Sequence, residues 1–345
     1  MKAEGGSLKL TATNLEMAIS CLVRGKIEEP GEFTVPAKLF SDFVALLPDG
    51  PVDLEVKGET LYVKCGGHAT KVSGLSASEF PLVPIVQDGV SYSLTAGALR
   101  RALSCVLFAV ATNESRPELT GVNIQFNGEA EGAGKAIFAA TDSYRLAEVV
   151  IVCAGSHEPR SVIVPARALA EVSRILSVFR DDVEVPENVE FVLAENQIVV
   201  RYGSVELTSR TIEGTYPNYR QIIPNRFETQ ARLDSDALAR AMKAASLFAR
   251  TGLYDVQVEL DPASKQVRIT GTDAVRGENM SVCDADLTGG ANRVTLNYRY
   301  VLDGLQALNE SEALFQMIDA NNPCLLLPAT SSTEKFLYVV MPIKA

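Results

Sequence analysis

Phe138-Ala139-Ala140-Thr141-Asp142-Ser143-Tyr144-Arg145-Leu146-Ala147-Glu148 reads as a strand, a polar corner and a second strand. The β-prone run Ala136 to Ala140 leads into the Thr-Asp pair, and Ala147 to Val152 leads out of it. Short oxygen-bearing side chains such as these bond nearby backbone groups, so the pair is a turn former. Tyr144, Arg145 and Leu146 are displayed beside the corner.

The stretch has two relatives, Leu8-Lys9-Leu10-Thr11-Ala12-Thr13-Asn14-Leu15-Glu16 and Val267-Arg268-Ile269-Thr270-Gly271-Thr272-Asp273-Ala274-Val275-Arg276. The threonines of the three Thr-Asx pairs, Thr13, Thr141 and Thr272, stand 128 and 131 residues apart. Solenoid units run roughly 20–50 residues, so this period describes a repeated domain.

The 345 residues are 47% hydrophobic and 22% charged, an ordinary globular composition. No apolar run reaches the ~18 residues of a membrane span, and Met1 to Gly6 has no apolar signal core. A cytoplasmic protein without a membrane partner is expected. Six scattered cysteines without Cys-x-x-Cys read as reduced, mostly buried residues. Two histidines are too few for most metal or proton-transfer sites, and no cofactor or metal ligand set is expected. A net charge of −11 argues against nucleic-acid binding over the whole surface, but not against a local basic face.

Taken in order, the chain predicts three units: 1–88, 89–226 and 227–345. The first holds strands to Thr13 and over Glu16 to Ile27. A helix follows from Val35 to Pro48, with Pro36 at its first position and Leu39, Phe40, Phe43, Val44 and Leu47 on its apolar face. Strands Val52 to Val56, Thr60 to Cys65 and His68 to Ser73 complete it. Glu79-Phe80-Pro81-Leu82-Val83-Pro84 and Gln87-Asp88-Gly89 read as a linker. The second unit opens with strand Val90 to Leu94 and a Thr95-capped helix to about Ala111. Val164-Pro165-Ala166-Arg167 repeats Val35-Pro36-Ala37-Lys38, and three strands between Val189 and Thr211 match those of the first unit. The third has a helix capped by Asp234 or Ser235 and containing Leu238, Met242 and Leu247. It also has strands Asp255 to Leu260 and Gln266 to Thr270, and three more from Ala313 to Met341. The fold class is therefore α+β, with two helices on antiparallel sheet in each repeat. The first unit has only 12 residues before Thr13. By internal comparison it lacks a strand, a helix and a strand, roughly 30–40 residues, so a truncated chain or an upstream start is expected.

Three such units can form an arc, and two arcs paired head to tail can close into a ring. The chain resembles the bacterial sliding clamp family, the beta subunit of DNA polymerase III, from about residue 7 to 345. The resemblance is carried by Leu119-Thr120-Gly121-Val122, Ala140 to Ala147, Tyr216-Pro217-Asn218-Tyr219-Arg220 and Tyr338-Val339-Val340-Met341-Pro342-Ile343. It implies three DNA-clamp domains in a head-to-tail homodimer that encircles duplex DNA. It also implies a non-catalytic processivity factor that tethers the replicative DNA polymerase, the clamp loader and other clamp-binding-motif proteins. The chain has no Gly-x-x-x-x-Gly-Lys loop.

The resemblance further implies a partner-peptide groove at Leu119, Thr141, Tyr144, Arg145, Leu146, Pro217, Ile222, Leu253, Tyr300, Val339, Val340, Met341, Pro342 and Ile343. Aliphatic residues and Met suit an adaptable pocket for an apolar anchor, with Arg145 and Lys344 framing it by hydrogen bonds. DNA phosphates would meet Lys38, Arg100, Arg101, Arg116, Arg167, Arg174, Arg240, Lys243, Arg250 and Arg299 on inner helices. The dimer seam would bring Leu247 and Phe248 against an edge strand at Thr70 and Val72. Ser143-Tyr144, Gln221 and Ala345 depart from the family's usual Gly-His, Arg and large aliphatic residue, and bear on peptide preference. The short first unit would expose Phe40 and Phe43 and weaken the seam. A ring-incompetent clamp-fold interaction protein is the alternative. An enzyme using Asp142 and Asp273 is a remote one.

Overall fold

A computed structural model describes residues 1–83, 88–128, 131–179, 186–330 and 335–344. Pro84 and Gln87 of the expected linker, and Ala345, lie outside the described residues.

In chain order the elements are β1 (Lys2–Glu4), β2 (Ser7–Thr13), β3 (Met17–Arg24), β4 (Gly31–Glu32), α1 (Ala37–Val44), β5 (Asp53–Lys57), β6 (Thr60–Cys65) and β7 (His68–Ser73). Next come β8 (Val90–Thr95), α2 (Ala96–Val106), β9 (Gly121–Phe126), β10 (Lys135–Thr141), β11 (Arg145–Val152), β12 (Ala154–Gly155), β13 (Arg160–Pro165) and α3 (Ala166–Val178). Then follow β14 (Asn188–Leu193), β15 (Gln197–Tyr202), β16 (Val205–Arg210), β17 (Thr229–Asp234) and α4 (Ser235–Ser246). The chain ends with β18 (Asp255–Asp261), β19 (Gln266–Asp273), β20 (Gly277–Gly289), β21 (Asn292–Asn297), α5 (Tyr298–Leu308), β22 (Glu312–Met317), β23 (Cys324–Pro328) and β24 (Lys335–Val340).

One compact unit contains Met1–Val90 and Glu190–Arg210. In it β14, β15, β16, β3, β2, β1 and β4 lie side by side, and β5, β6 and β7 form a separate sheet. Phe33, Leu61, Val63 and Val72 make its small core, against which Phe40 and Phe43 pack half-buried. The expected exposure of those two phenylalanines is thus only partial. The exposed apolar side chains on and after α1 are Leu39, Val44 and Leu46. Pro36 occupies the N-cap, not the first helical position, and gives the helix no side-chain acceptor.

The second unit holds a twelve-stranded sheet in the order β13, β9, β10, β11, β24, β23, β22, β17, β20, β19, β18, β21. The β11–β24 ladder, Arg145 opposite Val340 through Val150 opposite Lys335, joins the second repeat to the third. Leu99, Leu103 and Val106 bury the inner face of α2 completely. Thr95 caps α2 by accepting from Ala98 N at 3.3 Å, Asp234 caps α4 from Ala237 N at 2.6 Å, and Asn297 caps α5 from Arg299 N at 3.0 Å. The α2 helix stops at Val106, short of the expected Ala111, and tightens into a 3-10 turn, Leu107–Ala109. That turn presents Phe108 O to Arg145. Leu247 caps the C-terminus of α4 and is not within it.

Sequence periodicity did not reveal β20, thirteen residues long, nor β13 and β21. Of β20, only Ala285–Gly289 pairs with β17, while Gly277–Asp284 pairs with β19 on its other side. Its alternating exposure places Met280 and Val282 at the surface, so the hydrophobic pattern of a buried strand is absent.

Candidate functional site

The Thr-Asx corners are built from short-range bonds that recur. At the second corner Thr141 Oγ1 donates to Arg145 O at 2.6 Å and accepts from Ser143 N at 3.1 Å, while Asp142 Oδ1 accepts from Tyr144 N and Arg145 N at 2.9 and 3.0 Å. At the first, Thr13 and Asn14 make the same four bonds to Met17 O, Leu15 N, Glu16 N and Met17 N. At the third, Asp273 accepts from Val275 N and Arg276 N. These contacts make the corner carboxylates turn-forming groups, which is the reading opposite to a catalytic one. Ser143 sits at φ 78°, a conformation that favours glycine, and the turn leaves Tyr144 64% exposed.

Beside this corner the third repeat closes in. Met341 N donates to Tyr144 O at 2.9 Å, and Ile343 N donates to Thr295 O at 2.9 Å, so the C-terminal segment runs from the corner toward β21. Tyr300, on the first turn of α5, lies with its ring 4.5 Å from the Arg145 guanidinium carbon. Tyr216 OH accepts from Thr141 N at 3.1 Å and holds the Tyr216-Pro217 segment against the corner.

The fourteen groove candidates therefore divide. Leu119, Thr141, Leu146, Val339 and Val340 are buried, and Leu146 and Val339 pack with Tyr219 and Leu325 beneath the site. Tyr144, Ile222 and Leu253 are exposed, and Pro217, Tyr300, Met341, Pro342 and Ile343 are half-buried. Arg145, expected to frame the groove by hydrogen bonds, bonds within the protein. Its Nε donates to Asp142 at 2.9 Å, Nη1 to Asp303 at 2.5 Å and Nη2 to Phe108 O at 2.7 Å. Burial opposes the guanidinium charge, but Tyr338, Asp303 and Asp142 outweigh it and raise its pKa above the ordinary arginine value.

Under the corner, Tyr219 OH donates to Glu148 Oε2 at 2.5 Å. Arg220 Nη2 stands 3.0 Å from the same oxygen, an ion pair by distance whose N–H points off the hydrogen-bond line. Burial pushes the Glu148 carboxyl above its ordinary 4.5, with Tyr219 and Arg220 opposing. A carboxyl raised in this way favours the folded state fully when protonated. That contribution is lost as pH rises from the ordinary value, about 4.5, through the raised one. Wild-type stability relative to Glu148→Gln is expected to fall over that interval in urea melts at stepped pH. A flat or rising difference would mean that the Arg220 charge dominates.

Of the expected DNA-facing cations, Lys38, Arg167, Arg174, Arg240, Lys243 and Arg299 are exposed on helices, and Arg100 is half-buried. Arg116 and Arg250 lie outside helices, paired with Glu118 and Asp255. Arg101 donates to Ala307 O and Leu308 O at 2.5 and 2.7 Å, satisfying the last carbonyls of α5. Arg299 lies 3.6 Å over the Tyr254 ring. Of the seam residues, Leu247 is 68% exposed and Phe248 and Thr70 are half-buried. Val72 turns its side chain into the core and offers only its backbone to the β7 edge.

Five cysteines are buried and Cys21 is half-exposed, all unbridged. Burial pushes the Cys324 thiol up to about 12. Among the described residues no cluster of metal-ligating side chains occurs, and no helix is long and apolar enough to cross a membrane.

Family profiles for the DNA polymerase III beta subunit match in sequence: its N-terminal domain at residues 1–84, its central domain at 93–218 and its C-terminal domain at 220–344. The beta sliding clamp of Synechococcus elongatus is 32% identical over 349 residues, covering 100% of this chain and 90% of that protein. The crystal structure of the DNA polymerase sliding clamp from Pseudomonas aeruginosa superposes with a TM-score of 0.90 at 26% identity, covering 100% of this chain and 91% of the other. That from Bacillus subtilis gives 0.90 at 26%, with 100% and 90% covered. With three clamp domains in order along one chain, the protein belongs to the DNA polymerase III beta subunit family, the beta sliding clamps that serve as DNA polymerase processivity factors.

Proposed function

We propose that two copies of this chain close head to tail around duplex DNA in the cytoplasm. The ring tethers a replicative polymerase, and in turn its loader and other partners, through a short peptide bound at the Thr141–Arg145 corner. The observation that carries the groove is the convergence there of Tyr144, Tyr300, Met341 and Ile343, exposed or half-exposed, over the buried floor of Leu146 and Val339. Apolar walls around a rigid floor suit an aliphatic or aromatic anchor.

Two open sheet edges support the dimer. The outer side of β7, and the side of Gly277–Asp284 of β20 that faces away from β19, have no partner strand among the described residues. Pairing one with the other in a second copy would satisfy both edges. Lys71 on β7 and Glu278 and Asp284 on β20 supply opposite charges. Leu247 is nearby on the α4 side: a β-carbon at Gly271 of β19 would meet Ala245 O at 2.2 Å, so the end of α4 lies against this hairpin.

Helix cations would meet phosphates without base readout. Several already sit in exposed pairs, such as Lys38–Asp42 and Arg174–Glu171. Such pairs are worth only about 0–1 kcal/mol, so they exchange readily for phosphates, as sliding requires. The test is topological. On nicked circular plasmid the protein is expected to co-elute with DNA in gel filtration, and linearising the plasmid should release it. Equal retention on both forms would mean binding without encirclement.

A further inference from the structure

We infer that Arg145 and Asp303 form a positioning clip that holds the groove's walls in place, and that the Arg145 guanidinium is not itself a ligand for the bound peptide. The inference rests on the groove reading above and specifies how that site is kept in shape.

All three guanidinium nitrogens are engaged, by Asp142, Asp303 and Phe108 O. Its faces meet the rings of Phe108 at 5.4 Å and Tyr300 at 4.5 Å, and its side chain is 13% exposed. A planar fork held this way has a fixed orientation. Each nitrogen already holds an acceptor within the protein, and a side chain only 13% exposed offers a peptide carboxylate little of the guanidinium. Taking the place of Asp142, whose side chain is 15% exposed, would leave that carboxylate buried and unpaired.

The clip's connectivity gives it a purpose. Asp142 and Arg145 belong to the corner of the second domain, and Phe108 to the turn after α2. Asp303 lies 158 residues away in sequence, on α5 of the third. Tyr300 precedes Asp303 by three residues, so both share one helix face. Tyr338 OH donates to Tyr300 O at 2.9 Å and ties the same turn to β24. Without the Asp303 carboxylate, α5 loses its ionic tie to the corner, and Tyr300 is no longer held at a fixed separation from Tyr144. Recognition then depends on apolar anchors and backbone, not on a terminal carboxylate.

The test uses the full chain and a fluorescein-labelled pentapeptide with two leucines and a final phenylalanine, its C-terminus free or amidated, in polarisation titrations. Wild type is expected to bind the two forms within about twofold, and Asp303→Asn to weaken both by about tenfold. Arg145→Lys should do the same, and the double variant should be no weaker than either single one. Melting temperatures should be non-additive in the same way. A wild-type preference for the free acid beyond about tenfold, or tighter acid binding by Asp303→Asn, would identify the guanidinium as a ligand and overturn the proposal. Additive losses would overturn it as well. Should wild type bind neither peptide, the groove reading fails. The melting cycle alone then decides the clip, with non-additive shifts upholding it and additive shifts overturning it.

Discussion

Leu247→Asp is expected to run as a 37.1 kDa monomer under conditions where the unmodified chain scatters light as a particle of twice that mass. Leu247 is a large aliphatic residue, 68% exposed, at the C-cap of α4. An isolated side chain of this kind needs no explanation, but this one lies beside the open stretch of β20. Sealed in a seam, Leu247 leaves water. An aspartate in its place would be buried without a partner, at roughly 3–5 kcal/mol for each copy of the contact. A factor of ten in dissociation constant corresponds to about 1.4 kcal/mol, so dimers should vanish at micromolar protein. Leu247→Met keeps volume and apolarity and should leave the mass unchanged. A Leu247→Asp chain that stayed dimeric would move the seam elsewhere. An unmodified chain of single mass would mean that the ring does not close.

The second large effect concerns Gly304, buried in the interior of α5. In an exposed helix, glycine to alanine gains about 1 kcal/mol. Here the sign should reverse. A β-carbon would lie 2.4 Å from Cδ1 and Cε1 of Tyr338 and 3.2 Å from Leu326 Cδ2. Tyr338 cannot yield easily: it is fully buried, tilted on Phe108 at 5.4 Å, and bonded to Tyr300 O. The helix must shift instead, carrying Tyr300 and Asp303 away from the corner. Overpacking of this kind costs roughly 1–3 kcal/mol, so Gly304→Ala should lower the urea midpoint despite its better propensity. Gly304→Val should lower it further and abolish peptide binding. A stabilised Gly304→Ala would show that the α5–β24 contact is loose.

The three Thr-Asx corners were legible because their bonds close within four residues; Thr13 and Thr141 make the same contacts whatever surrounds them. Helix starts at Thr95 and Asp234 were legible for the same reason, since a cap bonds within its own turn. The repeat of these local signals established three α+β units. The resemblance of Ala140 to Ala147 and Tyr338 to Ile343 to a known family gave the site its expected residues.

Other features depended on neighbours distant in sequence. β20 is a strand because β19 and β17 pair with its two halves, although it places the apolar Met280 and Val282 on its exposed side. Arg101, which reads as a surface cation, ends on carbonyls 206 and 207 residues away. Val72 looks like a seam side chain and belongs to the core. Arg145, named from the sequence as a groove residue, is held by Asp303 and Phe108 O through bonds no local pattern encodes. The sequence by itself determined the units, their corners and their caps, whose bonds form between near neighbours. Only the tertiary structure decided which charged and apolar side chains remain open to a partner, because that depends on groups folding brings together from far along the chain.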